Sequence, residues 1–316
     1  MPSIVQDVLK GDTRTLAKVI TQIESRTPGS ADILRDLFRH TGKADVIGIT
    51  GSPGAGKSSL VDRLALAYRK KEKSVGIVAV DPTSPFTGGA VLGDRIRMQN
   101  TATDSGVYIR SMATRGNLGG LAAATSDVVL VLDAAGKNPV IVETVGVGQD
   151  EIEIVKLADI TVVVLVPGMG DDVQALKAGI MEIADIFVIN KSDRPGAERL
   201  ERAVTTMLSL AHREDGWIPP IIKTIATHGD GVDDLVGAIH RYGEFVRSGA
   251  ARTLKKREAA RQLLLTLLQE RAIASIVEKA FAGVGLNHVV EDIANRKQDP
   301  YTIVERICKS IILESQ

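Results

Sequence analysis

The stretch from Val46 to Ser59 constrains this chain more than any other, because an apolar run (46–50) passes directly into GSPGAGKSS (51–59), a GxxxxGK[ST] loop. Gly51, Gly54 and Gly56, with the small Ser52, Pro53 and Ala55 between them, keep the loop nearly free of side chains. Its backbone N–H groups can then wrap phosphates, Lys57 adds a fixed positive charge, and Ser58 offers a hydroxyl to magnesium. Ser59 keeps a second hydroxyl. The residues that follow carry apolar side chains at helical spacing, so a helix N-terminus points at the phosphates. Strand, loop and helix in this order predict a P-loop fold that binds a nucleoside triphosphate.

A second segment selects the base. The run 183–189 is apolar apart from Asp185, as a strand buried on both faces should be from 186 on, and it ends in Asn190-Lys191-Ser192-Asp193. A carboxylate at Asp193 can accept from the N1–H and the exocyclic amine of guanine. Adenine offers neither donor there, so the carboxylate would be left unpaired. Lys191 is expected along the base plane, and Asn190 is expected to tie loops together.

Around these motifs, apolar strands alternate with amphipathic helices from 43 to 247, which predicts an α/β domain with a mainly parallel sheet covered on both faces. The strand candidates are 45–50, 75–80, 107–110, 139–143, 160–166, 185–190 and 221–225. Residues 1–42 read as a short helical extension, 4–10 and 16–24, broken at Pro28-Gly29. Beyond 247 the pattern is helical, and Leu263, Leu264, Leu267, Leu268, Ile273, Ile276, Val277, Ala280 and Phe281 form an apolar stripe. That stripe has to be covered, either by the nucleotide domain or by a second copy. The cationic run Arg252, Lys255, Lys256, Arg257 and Arg261 reads as a solvated helix face.

Composition narrows the function classes. Lys+Arg and Asp+Glu balance at 39 each, so no global field favours nucleic acid or an anionic membrane. Cys308 is the single cysteine, and no apolar run reaches membrane-span length. The expectation is a cytoplasmic protein with neither nucleic-acid nor membrane partner.

Two strand candidates end in acids. The run 75–80 leads to Asp81 and 139–142 leads to Glu143, which would set both carboxylates above the sheet edge near Ser58 to hold magnesium directly or through its waters. Gly146 and Gly148 follow Glu143 as a hinge where a γ-phosphate would be sensed, with Gln149 a candidate beside the attacking water. Between the two acids lies a polar, glycine-rich loop (81–98) carrying Asp94. A further loop, 167–177, holds Asp171, Asp172, Gln174 and Lys177. Its plain alternative is a helix cap.

DPTSPFTGGAVLGDRIRM (81–98), ETVGVGQDE (143–151), PGMGDDVQALKAGIMEIAD (167–185) and NKSD (190–193), together with GSPGAGKSS, resemble the MeaB/ArgK-type G proteins. These are accessory GTPases of methylmalonyl-CoA mutase and related adenosylcobalamin-dependent acyl-CoA mutases. The resemblance runs from about residue 7 into the C-terminal helices. It implies GTP hydrolysis with Mg2+, homodimers formed through the C-terminal helices (248–316), and gating of cofactor loading or protection on a partner mutase. It also implies a switch I from Asp81 to Asp94, a switch II after Glu143, and a switch III over 167–177 in which Lys177 is tied to nucleotide state. The family's guanine-contacting Ser-Ala segment stands here as Ile225-Ala226-Thr227, and the Ala226 N–H is expected to meet the guanine O6. Arg115 is a candidate phosphate neighbour.

Two other readings compete. A metal-insertion GTPase of the hydrogenase or urease maturation type would need clustered soft or imidazole ligands, whereas Cys308 is alone and His40, His212, His228, His240 and His288 are scattered. An ATPase or kinase linked to arginine and ornithine transport is opposed by the NKxD segment.

Overall fold

The computed structural model describes residues 3–81, 98, 100–113, 120–144, 157–168, 183–210, 213, 215–248, 251–281 and 285–313. They divide into two compact units, 1–259 and 260–316.

The first unit is built on a seven-stranded sheet in which every strand pairing is parallel. Its strands are β1 (Val46–Gly51), β2 (Val75–Asp81), β3 (Val107–Ala113), β4 (Val140–Glu143), β5 (Ile160–Leu165), β6 (Ile186–Asn190) and β7 (Ile221–Thr224), in the spatial order β3-β2-β4-β1-β5-β6-β7. Each coincides with a predicted strand to within a few residues, and the predicted α/β architecture stands. The apolar runs fail to alternate in polarity because the sheet is covered on both faces. Alternation survives in direction instead. Ile77 and Ala79 of β2, Val162 and Val164 of β5, and Ile186 and Val188 of β6 share one core, while Val78, Val80, Val163, Leu165, Phe187 and Ile189 face the other way.

The first face is covered by α4 (Lys57–Lys70) and α7 (Val232–Ser248), which bring Leu60, Val61, Leu64, Leu235, Ile239 and Tyr242 into the core. The opposite face is shared. Its β5–β6 half lies under α6 (Ala197–Leu210), through Leu200 and Val204. Its β2–β4 half lies under α5 (Gly120–Ala134), on which α1 (Ser3–Leu9), α2 (Thr13–Glu24) and α3 (Ser30–Phe38) are stacked. Val5, Val8, Leu16, Val19, Ile20, Ile23 and Leu37 are all buried with Val128, Val131 and Leu132. The N-terminal helices therefore share a core with the sheet rather than trailing from it. Helix α3 starts at the break read at Pro28-Gly29, where Gly29 is the N-cap with φ +88°.

The second unit holds the later part of α8 (Ala251–Phe281), α9 (Leu286–Ala294) and α10 (Pro300–Leu313). Much of its apolar stripe is exposed on the single chain, notably Leu264, Leu268 and Ile273 on α8 and Val290 on α9. Among the described residues no single helix is long and apolar enough to cross a membrane.

Candidate nucleotide site

The site lies where the central strands end. β1 closes at Gly51 (φ +143°), where a Cβ would stand 2.1 Å from the carbonyl oxygen of Val164 on β5. Only glycine lets the chain leave the sheet at that point. The loop is pinched by the Ala55 N–H donating to the Ser52 carbonyl at 3.1 Å, and it enters α4 through Gly56 (φ +87°). No side chain caps α4, so the N–H groups of its first turn are left to a ligand, with the helix dipole behind them. Lys57 is buried at the start of the helix, and its Nζ donates to the carbonyls of Gly51 (2.6 Å) and Ser52 (3.0 Å), which holds the ammonium inside the loop.

Register brings the acids to the same edge. Ile49 of β1 and Ala79 of β2 both pair with Glu143 at the end of β4. Glu143 is only 6% exposed, and its Oε1 accepts from the Ser58 hydroxyl at 2.6 Å. The neighbouring Thr144 donates its N–H to Ile49 (3.0 Å) and its hydroxyl to Thr50 (3.0 Å), so the end of β4 is fixed to β1. Ser58 and Glu143 therefore form a buried pair of hard oxygen donors, the kind Mg2+ takes. The backbone of Asp81 lies two residues past Ala79, paired with Ala113. Asp94, Gln149, Asp171, Asp172, Gln174, Lys177 and Arg115 lie outside the described residues.

The base side is organised by Asn190. Its Nδ2 donates to the Ala55 carbonyl of the phosphate loop (2.8 Å), while its Oδ1 accepts from the Thr224 hydroxyl and the Ala226 N–H, both at 3.1 Å. One buried amide thus joins the phosphate loop to the end of β7, the tying role expected of it. Gly56 makes room for this, since a Cβ there would stand 2.5 Å from Asn190 Nδ2. Lys191 takes φ 55° and donates its Nζ to the Gly54 carbonyl (2.8 Å), laying its aliphatic stem across the site. Asp193 is exposed beside it.

The segment 225–227 is bonded to the same asparagine. The Ala226 N–H, expected to meet the guanine O6, is already donated to Asn190, and Ala226 itself is buried. The next N–H, that of Thr227, has no acceptor among the described residues and belongs to an exposed residue.

Sequence reasoning missed two neighbours on α4. Asp62, buried, accepts from the Asn100 amide (2.6 Å) and from the N–H (3.1 Å) and hydroxyl (2.8 Å) of Thr101. Arg63 donates through Nη2 to the carbonyl of Thr227 at 2.7 Å. Both sit in a plainly amphipathic helical run and reach partners 39 and 164 positions away, which no local pattern signals.

Comparison with known proteins agrees with this geometry. Residues 16–281 match the family described as methylmalonyl Co-A mutase-associated GTPase MeaB. A candidate GTPase of Pyrococcus abyssi is 46% identical over 312 residues, covering 98% of this chain and 96% of its own length. GTPase ArgK of Escherichia coli is 36% identical over 243 residues, 74% of this chain and 73% of its own. The solved structure of an LAO/AO transport system kinase superposes over 98% of this chain and 96% of its own with a TM-score of 0.71; at 24% identity that similarity speaks to fold alone. The matched family spans most of the chain, and this protein belongs to it: it is a GTPase of the MeaB/ArgK kind.

Proposed function

We propose that this GTPase gates the loading or protection of adenosylcobalamin on methylmalonyl-CoA mutase or a related acyl-CoA mutase. The observation that carries the proposal is the family match over residues 16–281, whose description names association with that mutase. The site supports the nucleotide half of the reading. The uncapped start of α4 and the Lys57 ammonium receive the β- and γ-phosphates. Asp193 reads the N1–H and 2-amine of guanine, and Asn190 and Lys191 hold the base loop against the phosphate loop.

Ser58 and Glu143 would hold Mg2+, joined by Asp81 and Asp94. Bound there, it supplies positive charge to the phosphate oxygens as the γ-phosphoryl group leaves. Gln149 orients the attacking water. The loop 167–177, with Asp171, Asp172, Gln174 and Lys177, communicates nucleotide state to the mutase as a switch III. The exposed apolar stripe of α8 gives a second copy of the chain a surface to cover, which suits a homodimer. Its setting is the cytoplasm.

Such a G protein turns over slowly alone and faster with its partner. Phosphate release from GTP, followed on the full chain with and without an adenosylcobalamin-dependent mutase, tests this directly. Stimulation by a mutase is the expected result. Turnover unchanged by methylmalonyl-CoA mutase and by related acyl-CoA mutases overturns the proposal while leaving the GTPase itself in place.

A further inference from the structure

Strand β1 outlasts its pairing with β4. The two stay in register only to Ile49 and Glu143, closed by the Thr144 N–H on the Ile49 carbonyl, whereas β1 remains paired with β5 through Thr50 and Gly51. One step beyond that last β4 pair, the Thr144 hydroxyl donates to the Thr50 hydroxyl oxygen at 3.0 Å, and both side chains are buried. Thr50 leads directly into the phosphate loop, and Thr144 directly follows Glu143. The threonines therefore close a circuit that runs from Thr50 along the loop to Ser58, across the 2.6 Å bond to Glu143, on to Thr144 and back to Thr50. A cation held by Ser58 and Glu143 would take the place of the bond between them. The hydroxyl pair is then the hydrogen bond that still closes the circuit.

Resting on the reading of Ser58 and Glu143 as Mg2+ donors, we infer that Thr50 and Thr144 are positioning residues for Mg2+: their hydroxyl bond holds Glu143 at a fixed span from the root of the phosphate loop. Backbone pairing sets Glu143 against Ile49 and Ala79, which leaves it two residues short of Gly51. The threonine pair carries that order to the residue adjoining the loop. Mg2+ tolerates little departure from octahedral geometry, so a donor set kept at its working span binds it more tightly than one that has to be gathered. Groups outside the donor set commonly tune metal affinity in this way. Burial adds to the effect, since neither hydroxyl can exchange this bond for one with water.

The test adds MgCl2 to the GDP complex of the full chain and reads its affinity by calorimetry, beside GDP affinity in EDTA and stability in urea. Thr144→Val keeps the shape and removes the donor. It should weaken Mg2+ about fivefold, the scale of one hydrogen bond, and leave metal-free GDP affinity unchanged. Thr144→Ser, which retains a hydroxyl, should restore the parent value. The decisive variant combines Thr50→Val with Thr144→Val, because replacing both partners leaves no orphaned hydroxyl and should return stability toward that of the parent. Mg2+ affinity should stay about fivefold low in that double variant. If it recovers along with stability, or if Thr144→Val binds Mg2+ like the parent, the pair is only a brace and the inference falls. Glu143→Gln is run alongside. If that variant takes Mg2+ like the parent, the assignment of the metal donors fails and the inference with it; a clear loss there beside an unaffected Thr144→Val removes the role of the threonines alone.

Discussion

Where the strands begin, the sheet edge consumes its charges internally; where they end, it aims donors outward. At the starting edge, Asp133 of α5, buried, accepts from the N–H groups of Gly42, Lys43 and Ala44, fastening the chain just before β1. Asp159 takes the N–H of Val46 at 2.9 Å. Asp185, before β6, takes the N–H of Thr161 (2.9 Å) and Nη2 of Arg213 (3.1 Å). Arg213 is further bound to Asp215 and to the Ala184 carbonyl, and Trp217 donates to the Asp185 carbonyl. Burial, together with the neighbouring Asp185, pushes the Tyr242 hydroxyl above its ordinary range, which keeps it a neutral member of this network. At the finishing edge the order is inverted. A lysine lies against carbonyls, a helix begins without a side-chain cap, and a serine and a glutamate stand as an oxygen pair. Polar groups buried at one edge therefore hold the sheet, and those at the other wait on a ligand.

The sharpest way to break this division is to remove a staple. Asp185→Leu takes a buried carboxylate from Arg213 and from the Thr161 N–H, and should cost about 3 kcal/mol of stability, the low end for breaking a buried pair because Asp215 still faces the guanidinium. Urea denaturation measures it. GDP affinity of the folded protein should stay at the parent value; a fall in affinity as large as the fall in stability would show that the two edges are not separable.

The converse test falls on the finishing edge. Lys57→Ala removes the charge set inside the phosphate loop and should lower GTP turnover by about 10²- to 10³-fold, the usual scale for one donor to developing charge. Its loss of stability should stay below that of Asp185→Leu, since the Gly51 and Ser52 carbonyls it leaves belong to the phosphate loop, whose Pro53 and Gly54 are exposed and admit water in place of the ammonium. Turnover by phosphate release and stability by denaturant, measured on the same preparation, give both readings. A destabilisation larger than that of Asp185→Leu would make Lys57 a structural staple as well.

What was legible in the sequence follows the same division. The finishing edge announces itself because phosphate binding needs small residues, a lysine and a hydroxyl at fixed spacing, so 51–59 and 190–193 can be read locally. The strands were legible because a sheet buried on both faces demands uninterrupted apolar runs. The starting edge was silent: Asp133, Asp185 and Arg213 look like ordinary polar residues until the fold brings their partners from 24 to 91 positions away. The same applies to Asp62 and Arg63 on α4. The bond from the Ala226 N–H to Asn190, 36 positions away, was silent for the same reason.

A smaller effect is expected at the base. Asp193→Asn replaces an acceptor by a group that presents a donor to donors, and should weaken GDP by about ten- to a hundredfold, about 1.4 to 2.8 kcal/mol. Xanthosine diphosphate, which carries a C2 carbonyl where guanine has an amine, should gain on the variant. Calorimetry with both nucleotides decides it, and a variant that keeps the parent's preference for GDP would remove Asp193 from the base edge.

The smallest effect belongs to the starting edge and carries a pH signature that separates it from the others. Asp104 accepts from Arg69 Nε at 3.0 Å and from the Gly106 N–H at 2.7 Å, just ahead of β3, and these bonds, Arg69 first, hold its carboxyl below the ordinary range. A depressed folded pKa means that the stabilisation is fully present above the unfolded value, near 3.8, and is lost as pH falls through the folded value. Asp104→Asn should therefore cost no more than about 1 kcal/mol near neutral pH, because the Arg69 pair is partly open to water. The gap between variant and parent should stay constant from pH 7 down to about 5 and close only below about 4. Urea midpoints at several pH values measure it. A gap that changes between pH 5 and 7 would mean that some other group, and not the Asp104 carboxylate, sets the response of this edge to acid.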